Sequence, residues 1–138
     1  MSFKKRLAIL GAIVACLAAV PAAALADMNS DHISMYVTSG SRYCDAYADY
    51  VSTGAKIETF GAGYYEFRFT ILSSSGSNLY YSPMRYYHFS GTEWYTVPSW
   101  NEILPIPPYA SVRAWLFKYG SDGLYHTVAY ETHACLTP

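Results

Sequence analysis

Charged side chains are scarce in this sequence. They account for 14% of the 138 residues, against about 25% in an ordinary soluble chain. The nine Lys and Arg residues form no run longer than Lys4-Lys5-Arg6, so the chain lacks the basic stripe with which proteins neutralise nucleic-acid phosphates. The composition therefore argues against a nucleic-acid partner and against a charged disordered tail.

The common catalytic signatures are also missing. The sequence contains no G-x-S-x-G elbow, no H-E-x-x-H pair and no P-loop, and Gly61-Ala62-Gly63 lacks the third glycine of a dinucleotide-binding fingerprint. Asp45 and Asp49 could form a glycosidase-like carboxylate pair, but a small β domain has little room for the deep cleft such a pair needs. We therefore expect a protein that is not an enzyme and has no cofactor.

Metal-ligand patterns are weak. Residues 27–31 imitate the start of a calcium loop, yet His32 stands where that loop needs Gly, and Thr38 stands where it needs Glu. A zinc site needs three or four convergent ligands, whereas His126 and His133 with one neighbouring Glu are loosely placed and are more often surface residues. The sequence therefore predicts no metal site.

Long apolar runs are confined to the N-terminus, which has the layout of a secretory signal peptide. Three basic residues precede an uncharged apolar run, residues 7–20, and Ala24-Leu25-Ala26 fits the A-x-A cleavage pattern. The run is shorter than the roughly 20 residues of a membrane span. The sequence predicts a signal peptide over residues 1–26, no transmembrane helix, and a product that is secreted, either extracellular or associated with the cell envelope.

A competing interpretation uses Cys16. Ile13-Val14-Ala15-Cys16 resembles a bacterial lipobox, in which the cysteine is lipidated and becomes the mature N-terminus. Lipidation would leave more apolar chain, residues 17–25, where a polar tether is usual. We favour cleavage after Ala26, and mass spectrometry of the mature N-terminus distinguishes the two possibilities.

Removal of the signal would leave a single domain, residues 27–138, with six basic and ten acidic side chains and a net charge of −4. Its two cysteines, Cys44 and Cys135, should form a disulfide in an oxidising compartment. All fifteen Tyr residues remain, together with three Trp and five Phe. Aromatic side chains are thus concentrated in the secreted part.

Hydrophobic alternation predicts strands through most of this domain. The clearest strand is 64–72, where Tyr65, Phe67, Phe69 and Ile71 share one face and Glu66, Arg68 and Thr70 the other. Further strands are predicted at 33–37, 56–60, 79–82, 84–89, 110–119 and 124–131, with a loop at 73–78 and a hairpin turn at 120–123.

Two regions are ambiguous. Residues 43–51 fit either a strand or a helix, and we favour a strand because Cys44 must be anchored near the last strand. The proline-rich segment 98–108 is expected to be an ordered loop or crossover. Within it, Ser99 could cap one helical turn that extends to Ile103.

Six to eight short strands with turns every 8–12 residues are typical of an antiparallel β-sandwich. Leu104-Pro105, Tyr109, Val112 and Arg113 resemble the E–F corner of fibronectin-type and immunoglobulin-like domains. This resemblance covers ten residues and implies the architecture but no function. The predicted fold is all-β: an antiparallel β-sandwich, immunoglobulin-like or similar, with one disulfide.

The tyrosines are the one positive functional signal. Each of the pairs Tyr64-Tyr65, Tyr80-Tyr81 and Tyr86-Tyr87 should place one ring inward and one outward, because neighbours on a strand point to opposite faces. Trp94, Tyr95 and Trp100 are close in sequence and could form a flat platform for a sugar. The candidate ligand-binding residues are therefore Trp94, Tyr95, Trp100, Tyr80 and Tyr86.

A purely structural role for these rings is also open, because Tyr is a good strand former and cross-strand aromatic pairs stabilise sheets by roughly 0.2–1 kcal/mol each. The leading hypothesis is a secreted, non-catalytic binding module of the bacterial cell surface or exterior, contacting a glycan or a protein through exposed Tyr and Trp. The alternative is a small secreted effector, such as an antimicrobial protein or an enzyme inhibitor. A contiguous exposed aromatic patch would favour binding, and scattered rings would favour a structural role.

Overall fold

The computed structural model describes residues 30–135, so the predicted signal peptide and Cys16 lie outside the described residues. The described chain forms ten β-strands that belong to one unit beginning at Asp31. The strands are β1 (His32–Val37), β2 (Cys44–Asp45), β3 (Tyr50–Thr59), β4 (Gly63–Leu72), β5 (Asn78–Tyr81), β6 (Arg85–Phe89), β7 (Glu93–Thr96), β8 (Trp100–Ile103), β9 (Ser111–Tyr119) and β10 (Tyr125–Ala134). Within residues 30–135, no helix could cross a membrane.

β3 forms the centre of the first sheet. β1 and β2 pair antiparallel along one side of β3, and β7 and β8 pair antiparallel along the other. Pro98 lies between β7 and β8, where its missing N–H interrupts the edge. The first sheet is therefore three strands wide, and each of its edges is divided into two short pieces.

The second sheet is four strands wide. Its order is β10-β9-β4, and β5 and β6 pair in succession along the remaining side of β4. Pro83 lies in the break between β5 and β6. Short, interrupted edges offer fewer unpaired backbone groups to a second chain.

Inward-facing side chains of both sheets form one hydrophobic core. The alternation predicted for 64–72 is confirmed in β4, where Tyr65, Phe67, Phe69 and Ile71 are all buried. The ring of Phe69 lies 6.3 Å from that of Trp100, which belongs to the other sheet. The fold is thus two antiparallel sheets packed face to face, as the strand pattern predicts.

The expected disulfide joins Cys44 to Cys135, whose Cα atoms lie 4.7 Å apart although 91 residues separate them in sequence. Both cysteines are buried. The bond connects β2 of the first sheet to the residue that follows β10 of the second, so it ties the two ends of the domain together.

Local expectations fail where strand pairing overrides sequence preference. The helical turn capped by Ser99 is wrong, because residues 100–103 form β8 and pair with β3. By contrast, the strand favoured over a helix for residues 43–51 agrees with the structure, where β2 and the start of β3 form a hairpin. Tyr109, in the segment that resembles an E–F corner, is 67% exposed with a φ of 62°. Its hydroxyl has no hydrogen-bond partner among the described residues, so the segment does not form a hydrogen-bonded tyrosine corner.

Candidate functional site

The outward face of the second sheet carries a continuous set of aromatic side chains, which we call the aromatic face. On β4, β6 and β9, every second side chain points away from the core. A bulge in β10 between Thr127 and Ala129 shifts its alternation by one residue, so Thr127 and Tyr130 both point outward. The aromatic face consists of Tyr64, Glu66, Arg68, Thr70, Tyr81, Tyr86, His88, Arg113, Trp115, Phe117, Tyr119, Tyr125, Thr127, Tyr130 and Thr132.

One end of the aromatic face is a cluster of tyrosines around Glu66. Tyr119 packs against Tyr125 with ring centroids 5.2 Å apart, and Tyr64 stacks on His88 at 4.3 Å. Desolvation raises the pKa of Tyr125, and the negative charge of Glu66 raises it further. Glu66 is paired in register with Tyr86 and with Phe117. This end therefore presents several hydroxyl groups beside one carboxylate.

The other end is organised by two arginines stacked on aromatic rings. The guanidinium of Arg68 lies 4.4 Å from the ring centroid of Tyr81. That of Arg113 lies 4.9 Å from the ring centroids of both Trp115 and Tyr130. These distances are typical of cation–π contacts, which hold both guanidinium groups against the sheet.

Hydrogen bonds fix the same end further. The indole Nε1 of Trp115 donates to Thr70 Oγ1 at 2.8 Å, and Arg113 Nε donates to Thr132 Oγ1 at 2.7 Å. Each bond crosses between neighbouring strands, Trp115 to β4 and Arg113 to β10. The side chains are thus positioned before any ligand arrives, which lowers the conformational entropy lost on binding.

The aromatic face extends across neighbouring strands of the second sheet. Four strands about 4.8 Å apart and seven residues of β9 at about 3.3 Å each give a Cα grid of roughly 14 by 20 Å. That grid has an area of about 280 Å² before side-chain margins, close to the size of the largest exposed patch on a typical monomer. The exposed tyrosines of this sheet are therefore contiguous and not scattered.

The tyrosine pairs divide as alternation predicts. Tyr64 is 55% exposed while Tyr65 is fully buried, and Tyr86 is 69% exposed while Tyr87 packs inward. In the third pair the predicted candidate, Tyr80, packs against the core, and its neighbour Tyr81 lies on the aromatic face. Of the five candidates named from sequence, only Tyr86 belongs to this face.

The three candidates from the proline-rich region are separated by the fold. Trp94 is 60% exposed on the outer face of the first sheet, whereas Trp100 is 5% exposed and belongs to the core. Tyr95 packs against Tyr87 and Phe89 with ring centroids 4.9 and 6.0 Å away. The expected platform of Trp94, Tyr95 and Trp100 therefore does not form.

Trp94 contributes instead to a smaller patch on the first sheet. A shallow depression there is lined by Trp94, Lys56 and Ser34. On the same face the ring of Tyr36 covers Gly54, where a Cβ atom would lie 2.5 Å from the ring. By register Tyr36 and Trp94 lie on opposite sides of β3 and four residues apart along it, so they do not form a continuous surface.

Residues that sequence reasoning missed are the outward side chains of β9 and β10. Arg113, Trp115, Phe117 and Tyr119 follow one another at a spacing of two, a signal present in the sequence. What the sequence did not show is that β9 lies between β4 and β10, which brings three outward rows together.

The carboxylates considered for chemistry have structural partners. Asp45 accepts hydrogen bonds from the backbone amides of Tyr47 and Ala48, which lower its pKa. Asp49 Oδ1 accepts one from the amide of Ile106 at 3.0 Å. Both groups stabilise turns of the first sheet and face no common cleft.

Asp31, the one described acidic residue of the calcium-loop pattern, is likewise engaged. Its Oδ1 accepts hydrogen bonds from the amide of Phe60 and the hydroxyl of Tyr65. His126 contacts Asp122 at 2.6 Å, and His133 lies 3.5 Å from Glu131. In residues 30–135, no three His, Cys, Asp or Glu side chains converge as metal ligands would.

A small cavity lies between the two proline interruptions of the sheet edges. The cavity, lined by Phe69, Pro83 and Pro98, has a volume of about 20 Å³, room for one water molecule.

Comparison with known protein families, curated proteins and solved structures gave no match to this chain. Function is therefore argued from the geometry of the aromatic face.

Proposed function

We propose that this protein is a secreted, non-catalytic binding module of the bacterial cell surface or exterior, and that it binds a glycan through the aromatic face. The contiguous, pre-positioned aromatic surface of the second sheet carries this proposal. The N-terminal sequence pattern supports secretion. The disulfide supports it further, because such bonds persist in oxidising compartments.

The chemistry of the aromatic face favours a glycan over a protein surface. The face as defined contains no aliphatic side chain, and apart from Phe117 every side chain carries a polar group. Exposed aliphatic residues of the same sheet, Leu79 and Val128, lie at the irregularities of β5 and β10. Sugars present C–H faces alternating with hydroxyl groups, and Tyr offers a matching apolar ring with a polar tip. A protein-binding surface would be expected to have a more apolar centre.

The direct test is glycan-array binding by the mature protein, followed by affinity measurement on the polysaccharide that scores highest. Tyr86→Ala and Tyr130→Ala remove the exposed rings of 69% and 61% accessibility and should each weaken binding roughly tenfold, equivalent to about 1.4 kcal/mol. Tyr47→Ala is the matched control, because Tyr47 is 68% exposed but lies in a turn of the first sheet. It should leave the affinity unchanged.

Other outcomes would overturn the proposal. Absence of any glycan binding would remove its basis. Binding abolished by Trp94→Ala but not by Tyr86→Ala would move the site to the first sheet. A pull-down that retains a protein partner in a manner sensitive to Tyr86→Ala, with no glycan bound, would make the ligand a protein.

A further inference from the structure

Arg68 and Arg113 are close neighbours on the aromatic face. Arg68 is paired in register with Trp115, and Thr70 is paired with Arg113. The two arginines therefore occupy diagonal positions on adjacent antiparallel strands, and the Cα atoms of such a pair are about 7–8 Å apart. Their guanidinium groups lean to opposite sides, that of Arg68 onto Tyr81 of β5 and that of Arg113 onto Tyr130 of β10.

Neither arginine has a counter-charge within the described part of the chain. By contrast, Arg42 forms an ion pair with Asp45 at 3.1 Å. The Nε of Arg68 is buried and has no hydrogen-bond partner among the described residues, and a buried polar atom in that state carries a desolvation cost. Arg113 bonds Thr132 only through Nε, so its two terminal nitrogens are without protein acceptors in residues 30–135.

The ring contacts suit both groups to bind an anion. They hold each guanidinium in place, and its terminal N–H groups make no hydrogen bond to described residues. Those coplanar N–H groups match the oxygens of a carboxylate or sulfate. Because Tyr81, Trp115 and Tyr130 hold the guanidinium planes in place, little side-chain entropy remains to be lost when an anion binds.

Charge distribution points the same way. The predicted mature chain has a net charge of −4, yet the aromatic face holds two arginines and a single carboxylate, Glu66. That carboxylate is two residues from Arg68 along β4 and forms no ion pair with it. The face is therefore locally positive on an acidic protein, which complements an anionic ligand.

We propose that Arg68 and Arg113 form an anion-binding pair in which each arginine holds one acidic group, and that the glycan bound by the aromatic face is an acidic polysaccharide whose carboxylate or sulfate groups lie at these two arginines. This inference rests on the proposed glycan-binding function and specifies its substrate class. The tyrosine cluster around Glu66 would contact neighbouring sugar hydroxyls, and the arginine end would contact the acidic group.

Matched pairs of polysaccharides test the inference by affinity electrophoresis and calorimetry on the mature protein. Polygalacturonate is compared with its fully methyl-esterified form, and dextran sulfate with dextran, so each pair differs only in its acidic groups. Binding should be stronger to at least one acidic member than to its neutral counterpart. The pair that shows the difference identifies carboxylate or sulfate as the recognised group.

Charge-matched variants locate the site. Arg68→Gln and Arg113→Gln should each weaken binding to the acidic polymer roughly tenfold or more, the effect of losing a hydrogen bond to a charged group. Arg85→Gln makes the same change in net charge, but Arg85 alternates to the opposite side of β6 from Tyr86, so it should change the affinity by less than about twofold. Thermal unfolding of each variant checks that the fold is retained.

The outcomes separate this inference from the proposed function. Equal binding of acidic and neutral polymers, lost in Tyr86→Ala but kept in Arg68→Gln and Arg113→Gln, overturns the anion pair and leaves the glycan module standing. Equal losses in Arg85→Gln and Arg113→Gln indicate diffuse charge attraction and also overturn it. If no polysaccharide binds at all, both proposals fail.

Discussion

The carboxylate of Glu131 accepts a hydrogen bond from the backbone amide of Met35, with Oε2 and N 2.5 Å apart. Met35 lies on β1, at the edge of the first sheet, and Glu131 lies on β10, at the edge of the second. The carbonyl of Met35 accepts a longer bond, 3.5 Å, from the Tyr43 hydroxyl, and the Tyr43 ring stacks on His133 of β10 at 4.1 Å. Side chains thus satisfy edge backbone groups that would otherwise be open to another strand.

Glu131→Ala should lower the free energy of unfolding by about 1–2 kcal/mol, because the Met35 amide loses a charged acceptor in a partly buried position. Glu131→Gln keeps an acceptor oxygen and should cost less. Glu58→Ala is a suitable control, since Glu58 makes no hydrogen bond or ion pair with any described residue. Chemical denaturation measures all three, and equal stability of Glu131→Ala and Glu58→Ala would contradict the prediction.

Loss of the disulfide should have a larger effect. Replacing Cys44 and Cys135 with Ser should lower the free energy of unfolding by about 2–5 kcal/mol, because the bond closes a loop of nearly the whole domain. Denaturation with and without reductant measures the effect in the wild type, and the double variant should not respond to reductant. Two reactive thiols in the native secreted protein would show that the bond does not form.

Asp31 should act as a structural acceptor and not as a calcium ligand. Asp31→Ala leaves the Phe60 amide and the Tyr65 hydroxyl without their shared partner, which should cost about 1–3 kcal/mol. The cost should be smaller in a Tyr65→Phe background, because one of the two donors is then already absent. Millimolar calcium should leave the wild-type melting temperature unchanged. A rise in melting temperature that disappears in Asp31→Ala would refute this role.

Stability should fall at alkaline pH. Burial raises the pKa of Tyr87 to about 12, with a further contribution from Tyr95, against the ordinary tyrosine value of 10.0. Below pH 10 the hydroxyl is protonated in both states, so stability is independent of this group. Between about pH 10 and 12 the unfolded chain loses the proton while the folded protein keeps it, so the free energy of unfolding decreases.

Tyr87→Phe removes that contribution, so its stability should decline less steeply between pH 10 and 11.5 than that of the wild type. At pH 7 the variant should be at least as stable, because the Tyr87 hydroxyl is buried without a hydrogen-bond partner in the described structure. Urea denaturation at successive pH values measures both effects. Identical slopes for variant and wild type would contradict the assigned pKa.

For the binding surface, the sequence predicts only which side chains of a single strand share a face. It placed Glu66, Arg68 and Thr70 together on one face of β4, and it predicted one inward and one outward ring in each tyrosine pair. It chose the wrong member of one pair, because Tyr81 and not Tyr80 faces outward. It could not identify the aromatic face, because that surface depends on β4, β9 and β10 lying side by side. Such pairings join residues far apart in the chain, and a local pattern carries no information about them.

The interruption between β7 and β8 explains why Trp100, which was expected to bind a ligand, is buried instead. Thr96 is paired with Lys56 and Trp100 with Thr53, so three residues between them, 97–99, oppose only two on β3. The extra residue reverses the alternation, and Trp100 turns into the core while Trp94 stays outside. The same reversal occurs around Pro83, since Tyr81 pairs with Thr70 and Arg85 with Phe67.

The sequence by itself determined the all-β class, the inward face of β4 and the single disulfide, because each follows from local periodicity or from there being only two cysteines, Cys44 and Cys135, after the predicted signal peptide. The tertiary structure decided which strands are neighbours and where an extra residue reverses a strand's faces. Those two decisions bring Arg68 beside Arg113 and the tyrosines around Glu66. Strand neighbours and face reversals depend on the whole sandwich because backbone pairing and core packing are satisfied across all strands together, and not within any one segment.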